Sequence, residues 1–209
     1  MSDLVRRAMA LRVLGDINAR NAWVSEGTRG ADGLVRHKCF VSYHADDAVE
    51  ALSFVSAYES VFIPKSIGLT DSSPFIDSSN NDYVMDKVRD DLLADSTVTI
   101  VLIGRCTWAR KFVDWEVYSS LRRDRRNRLN GLLAVQLPSG AAARARLPER
   151  VSLNVTGANG DAGYARYIAY PTTASGLRAW IDDAFSARTS RSALIQLGGP
   201  RRINNSACT

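Results

Sequence analysis

The chain has 209 residues, 45% of them hydrophobic and 23% charged, which is typical of one soluble globular domain with extensions. No apolar run reaches the roughly 18 residues that a membrane-spanning helix needs, and the N-terminus lacks the apolar core of a signal peptide. The formal net charge is +5.

Much of the positive excess comes from one cluster: Arg122, Arg123, Arg125, Arg126 and Arg128. This cluster predicts either a solvated helix end, where cations interact favourably with the helix dipole, or a nucleic-acid patch. No interleaved aromatic residues accompany the arginines, which favours the helix end.

The three cysteines, Cys39, Cys106 and Cys208, are far apart in the sequence. They form no CxxC pair and no cluster with histidine, so the sequence predicts neither a disulfide framework nor a zinc site. Unpaired thiols are typical of a reducing compartment, which indicates a cytoplasmic protein.

Residues 1–34 are predicted to form an N-terminal helical extension. Leu4, Ala8 and Leu11 recur at helical spacing, and glycines then mark a loop. The extension could be a lid, an oligomerisation arm or a packing helix, and the sequence does not choose between these. The domain itself is predicted over residues 35–190, followed by a polar, loose tail over residues 191–209.

The domain is predicted to begin with a strand and a helix. The run from Lys38 to Tyr43 is apolar enough for a strand. The polar residues that follow it indicate a turn, and Asp46 or Asp47 is a suitable N-cap for a helix over residues 48–59.

The next segment is predicted to contain a short strand, a long loop and a helix. The strand covers residues 61–63 and is expected to stop at Pro64. Residues 65–81 predict a polar loop whose acids lack the spacing of a calcium site. Apolar residues at helical spacing predict a helix over residues 82–95.

The central stretch combines a buried strand with an amphipathic helix. Residues 98–103 form a nearly continuous β-branched run that ends at Gly104, as in a strand covered on both faces. The following helix has one apolar face: Val113, Val117, Ser120 and Leu121. Glu116 falls on the flank of that face, beyond the carboxyl end of the strand, where open α/β sheets bind ligands.

The last part of the domain is predicted to add two strands and a helix. A strand over residues 132–137 closes at Pro138, and residues 139–165 are expected to be mostly irregular. A fifth strand is predicted over residues 167–170 and a helix over residues 177–185. The alternation along the chain predicts a small parallel sheet with helices on both faces.

Several common sites are excluded by the absence of their motifs. The chain contains no GxxxxGK[ST] loop, no GxGxxG after the first strand and no GxSxG elbow. The central strand ends Leu102-Ile103-Gly104, without the acceptor aspartate that a phospho-receiver needs. Non-Rossmann nucleotide binding therefore remains open.

Five segments carry a family resemblance: FVSYHADD, STVTIVLIG, TWARKFVDWEVYSSL, NGLLAVQLP and LPERVSLN. In this order they resemble the TIR-like domain family, in particular the branch that includes the ThsB proteins of bacterial Thoeris anti-phage systems. The resemblance covers about Lys38 to Arg188 and is most specific around V-D-W-E-V-Y-S-S-L. It implies a flavodoxin-like, five-stranded parallel sheet.

The resemblance also implies an activity. Many TIR domains cleave the nicotinamide–ribose bond of NAD with one glutamate on the helix after a central strand, and that residue here is Glu116. The implied product is a cyclic ADP-ribose-type signal that activates a separate effector protein. Self-association of the domain and a phage-derived trigger are implied as well, with NAD as substrate and with no cofactor, metal or membrane.

Other residues are expected near Glu116 at the rim of the sheet. The candidates for substrate binding are Phe40, Ser42, Tyr43, His44, Lys65 and Trp115. An aromatic ring could stack on nicotinamide or adenine, the hydroxyl and imidazole could bind ribose or phosphate oxygens, and Lys65 could meet the diphosphate. Trp115 points about 100° away from Glu116 on a helix and is alternatively a core residue. The alternative for the whole domain is a non-catalytic TIR-like adaptor.

Overall fold

The fold is organised around one parallel sheet. A computed structural model describes residues 32–67, 93, 96–123, 129–157 and 160–208. The strands are β1 (Lys38–Ser42), β2 (Ile63–Ile67), β3 (Val98–Ile103), β4 (Gly131–Gln136) and β5 (Arg166–Ile168). They lie in the order β2-β1-β3-β4-β5, and each neighbouring pair is parallel. This is the strand order of flavodoxin-like folds, so the predicted fold class is confirmed.

Five α-helices connect and cover the strands in the described part of the chain. They are α1 (Ala48–Ala57), α2 (Lys111–Ser120), α3 (Pro138–Ala142), α4 (Glu149–Val155) and α5 (Ala174–Ser190). The predicted N-terminal extension, residues 68–81 of the predicted loop and most of the helix predicted over residues 82–95 lie outside the described residues. The same holds for the arginine cluster beyond Arg123.

Each side of the sheet buries its own apolar cluster, because successive strand residues point to opposite faces. On β3, Ile100 and Leu102 pack on the side of α1 and α5, whereas Val101 and Ile103 pack on the side of α2 and α4. All residues of β3 are buried, as the continuous β-branched run predicted for a strand covered on both faces.

Two strand boundaries differ from the sequence prediction. Pro64 does not stop the second strand but lies inside β2, which is possible because β2 is the edge of the sheet and needs fewer backbone donors. The last strand is shorter than predicted, covering 166–168 instead of 167–170.

The segment over residues 139–165 is not mostly irregular, as predicted, but contains α3, α4 and the start of the last loop. Both helices span fewer than two full turns, which is too short for an apolar period to show. Pro138 is the first residue of α3, where its missing N–H costs no hydrogen bond.

The C-terminal tail is not loose, as predicted, but packs against α2. The indole nitrogen of Trp115 donates to the Arg202 carbonyl at 2.7 Å, and the Arg202 amide donates to Asp114 Oδ2 at 2.9 Å. Asn205 Oδ1 accepts from the Lys111 amide at 2.9 Å. The tail therefore satisfies one of the open N–H groups at the start of α2.

A disulfide closes this contact, so the prediction of unpaired cysteines was wrong for two of the three. Cys106 and Cys208 are bonded, with their Cα atoms 5.6 Å apart, while Cys39 is a buried free thiol. The argument for a reducing cytoplasm from cysteine usage therefore no longer holds. No helix in the described ranges is long and apolar enough to cross a membrane.

We expect Cys208→Ser to lower the free energy of unfolding by about 2–4 kcal/mol, because the bond closes a loop with a sequence separation of 102. The measurement is urea unfolding followed by tryptophan fluorescence. A reducing agent should bring the parent chain down to the variant and leave the variant unchanged. Equal stability of oxidised parent and variant would contradict the bond.

Candidate active site

The centre of the candidate site is a buried contact between the end of β1 and α2. Ser42 is the last residue of β1, and its hydroxyl donates to Glu116 Oε2 at 2.5 Å. The two residues are 0% and 1% exposed. Val113 and Val117 anchor α2 against the sheet, so the flank of this helix, which carries Glu116, faces the end of β1. The structure thus brings together the predicted catalytic residue and one predicted substrate-binding residue.

Tyr43 lies within the electrostatic field of the same carboxylate. Burial raises the pKa of Tyr43 well above its ordinary value, and the negative charge of Glu116 raises it further. The phenol therefore stays neutral at any physiological pH and keeps its proton as a hydrogen-bond donor.

Phe40 and His44 are both buried, and the local structure accounts for each. Phe40 shares the strand face of Ser42, two residues earlier on β1, and is fully covered. His44 Nδ1 accepts from the Asp46 amide at 2.8 Å and so caps the turn that precedes α1. This ring nitrogen is thereby an acceptor, which fixes the tautomer if the ring is neutral.

Lys65 and Trp115 lie in surroundings other than those expected. Cys39 pairs with Pro64 and Phe40 with Ser66, so Lys65 is the extra residue of a bulge in the middle of β2, not at its carboxyl end. The Trp115 indole is held by the tail and packs edge-on against Phe112. Trp115 is therefore a core residue, which was the alternative prediction for this position.

A second polar cluster at the same edge of the sheet was not predicted. Thr107 Oγ1 accepts from the Gly104 amide at 2.9 Å and contacts Asp47 Oδ2 at 3.3 Å. A side chain at position 104 would collide with the Asp47 carboxylate. Asp47 is the N-cap residue of α1, as predicted, but its side chain makes no capping bond and turns to this cluster instead.

The second cluster continues to the start of α3. Ser139 Oγ donates to Glu50 Oε2 at 2.8 Å and lies 3.5 Å from Asp47 Oδ1. Burial raises the pKa of Asp47 to about 6, and the nearby charges of Glu50 and Asp46 add to this, while hydrogen bonds to Thr107 and Ser139 oppose it. No sequence signal points to this group, because its members are far apart along the chain.

Metal binding finds no support in the part of the chain that the structure describes. No three His, Cys, Asp or Glu side chains there are arranged to hold an ion. The chemistry available at the contact of Ser42 and Glu116 is that of one oriented carboxylate, which can stabilise a developing positive charge.

Comparison with known families agrees with the resemblance seen in the sequence. Residues 40–142 match the family model described as "Thoeris protein ThsB, TIR-like domain". The match includes Ser42, Asp47 and Glu116 and ends with the last residue of α3. No curated protein and no solved structure matches the chain.

The raised pKa of Asp47 predicts a pH effect on stability. Because the folded chain holds this proton more tightly than the unfolded chain, the Asp47 contribution to stability falls as pH rises from the ordinary pKa of 3.8 to about 6. Asp47→Asn should therefore gain stability, relative to the parent, between about pH 4 and about pH 7. Urea unfolding at each pH measures this.

The matched control is Asp161→Asn, the same change of side chain at an exposed position. A difference between Asp47→Asn and the parent that does not vary with pH would show that Asp47 titrates normally.

Proposed function

We propose a function from the premise that residues 40–142 belong to the TIR-like domain family of Thoeris ThsB proteins. The resemblance seen in the sequence implies a role in anti-phage defence. The protein cleaves the nicotinamide–ribose bond of NAD, and Glu116 is its catalytic residue. The observation that carries the proposal is the buried Glu116 carboxylate, which Ser42 holds at the carboxyl end of the sheet.

One carboxylate is sufficient for this reaction. Nicotinamide leaves as a neutral base, so no general acid is required, and the ribose develops oxocarbenium character in the transition state. A carboxylate beside the ribose stabilises that positive charge and can bind the ribose hydroxyls. Few waters compete with the substrate around a buried group, which strengthens the interaction.

Ser42 is proposed to orient this carboxylate. Its hydroxyl donates to Oε2 of Glu116 and so restricts the rotation of the carboxylate. Tyr43 remains a predicted contact for the ribose or the nicotinamide carboxamide, although its ring packs in the apolar cluster on the α1 and α5 side of the sheet. Phe40, His44, Lys65 and Trp115 remain predicted substrate contacts of lower support, because their observed positions have structural explanations.

The burial of Glu116 requires that the site open before NAD can enter. Its exposed fraction of 1% leaves no access for a dinucleotide. Opening by self-association or by a phage-derived trigger would make cleavage conditional on infection. We further propose that the product is a cyclic ADP-ribose-type signal that activates a separate effector.

The same burial favours a second candidate function. A carboxylate that is covered and hydrogen-bonded to a serine also suits a structural role, as in a non-catalytic TIR-like adaptor that works by association alone. The two candidates differ in whether concentrated protein releases nicotinamide from NAD.

We expect Glu116→Gln to reduce NAD cleavage by at least about 100-fold, because the amide keeps the size and the bond to Ser42 but loses the charge. Full-length protein is incubated with NAD, with and without extract of infected cells, and nicotinamide is measured by chromatography. Glu149→Gln, an exposed change on α4, is the control.

Circular dichroism should show the same fold for both variants. Equal nicotinamide release from Glu116→Gln and the parent defeats the catalytic assignment, whereas no release from any of the three proteins favours the adaptor.

Ser42→Ala should lower kcat by about 10- to 100-fold with a smaller effect on KM, because a misoriented carboxylate costs mainly transition-state stabilisation. Ser53→Ala removes a hydroxyl that bonds only within α1 and serves as the control. A loss confined to KM would show that Ser42 binds substrate and does not position Glu116.

A further inference from the structure

A cavity apart from the contact of Ser42 and Glu116 lies at the carboxyl end of β3 and β4. Its volume is about 530 Å³, which is within the range of small-molecule sites. One wall is the loop after β3, with Arg105 and Trp108, and the other is the end of α3 and the loop after it, with Ser139, Arg144 and Arg146. Ligands of open α/β sheets bind at this edge.

All charged residues that line this cavity are arginines. None of the three has a carboxylate within ion-pair distance among the residues that the structure describes. The Glu50 and Asp47 carboxylates behind Ser139 offset the positive potential on that wall only. The three arginines therefore still create a positive potential on the rest of the cavity, and this potential attracts an anion.

The cavity also offers a surface for a planar ring. The Arg146 guanidinium lies 3.9 Å from the centre of the Trp108 ring and stacks on it. A stacked arginine and tryptophan pair is a surface on which a heteroaromatic base can pack. The arginines and the stacked Arg146–Trp108 pair thus line the same space.

Both walls are fixed by the fold. Cys106 lies between Arg105 and the turn that carries Trp108, and its disulfide to Cys208 fixes this part of the wall. On the other wall, a side chain at Gly140 would collide with the Ile103 carbonyl, so α3 is packed directly on the end of β3. Pre-formed walls reduce the entropy that a ligand must lose on binding.

The backbone at Arg144 adds a sign of local constraint. This residue has a φ of 50°, in the left-handed region that glycine usually occupies after a helix. The Ala145 amide closes the turn on the Gly140 carbonyl at 2.9 Å. An arginine at such a position carries a conformational cost of about 1 kcal/mol. This conformation lies in the turn that forms one wall of the cavity.

We propose that this cavity binds the diphosphate of a nucleoside diphosphate compound, with its base packed on Trp108 and Arg146. Arg105 and Arg144 bind the phosphate oxygens, since guanidinium groups match their geometry. Ser139 does not supply a free donor, because its hydroxyl is bonded to Glu50. The site is separate from Glu116, so it binds its ligand whether or not the chain cleaves NAD.

The test is isothermal titration of the full chain with ADP-ribose, inorganic pyrophosphate and adenosine. ADP-ribose should bind most tightly, pyrophosphate should compete with it, and added salt should weaken both. Arg105→Gln combined with Arg144→Gln should raise the Kd for ADP-ribose about 10-fold or more. Arg146→Gln should weaken ADP-ribose more than pyrophosphate, because it removes the stacked surface.

The control is Arg122→Gln combined with Arg123→Gln, which removes the same charge just after α2 and should leave the Kd unchanged. The proposal is overturned if this control weakens ADP-ribose as much as the cavity variant does. It is also overturned if Ser42→Ala abolishes ADP-ribose binding while the cavity variant retains it, since the ligand would then lie beside Glu116. Loss of NAD cleavage in Glu116→Gln with ADP-ribose binding intact separates the two proposals.

Discussion

The hydrogen bond from Ser42 to Glu116 is the interaction on which the geometry of the candidate site depends. It joins the end of one strand to the middle of a helix that lies 74 residues further along the chain. A buried carboxylate without such a donor would be costly to keep charged. The bond therefore does two things at once, since it stabilises the charge in a covered position and it ties the carboxylate to the end of β1.

The helix that carries this carboxylate is held from two sides. Val113 and Val117 bind it to the sheet, and the tail binds its first turn through Asn205, Arg202 and the indole of Trp115. The motifs in the centre of the sequence give no indication that the C-terminal residues contribute to the domain. Here they complete the start of α2, and the disulfide keeps them there.

The sequence predicts those parts of the fold whose signal is local. The continuous apolar run of β3 and the helical spacing after it place Glu116 beyond a central strand, and this follows from residues within one short stretch. Asp47 and Thr107 are 60 residues apart and Cys106 and Cys208 are 102 apart, so only the topology brings them together. Short helices such as α3 are missed by sequence prediction for another reason, because an apolar period cannot be recognised over fewer than two turns.

The fixed position of α2 limits how the active site can open. Moving Glu116 toward solvent by shifting α2 would break the tail contacts of Asn205 and Trp115 together with the apolar contacts to β3. Such a movement would lose several contacts at once and is therefore unfavourable compared with one that leaves α2 in place. Access to Glu116 must therefore come from displacement of what covers it, while the helix, the serine and the carboxylate stay in place. Under the proposed function, a carboxylate that is assembled but covered needs only to be exposed to become active.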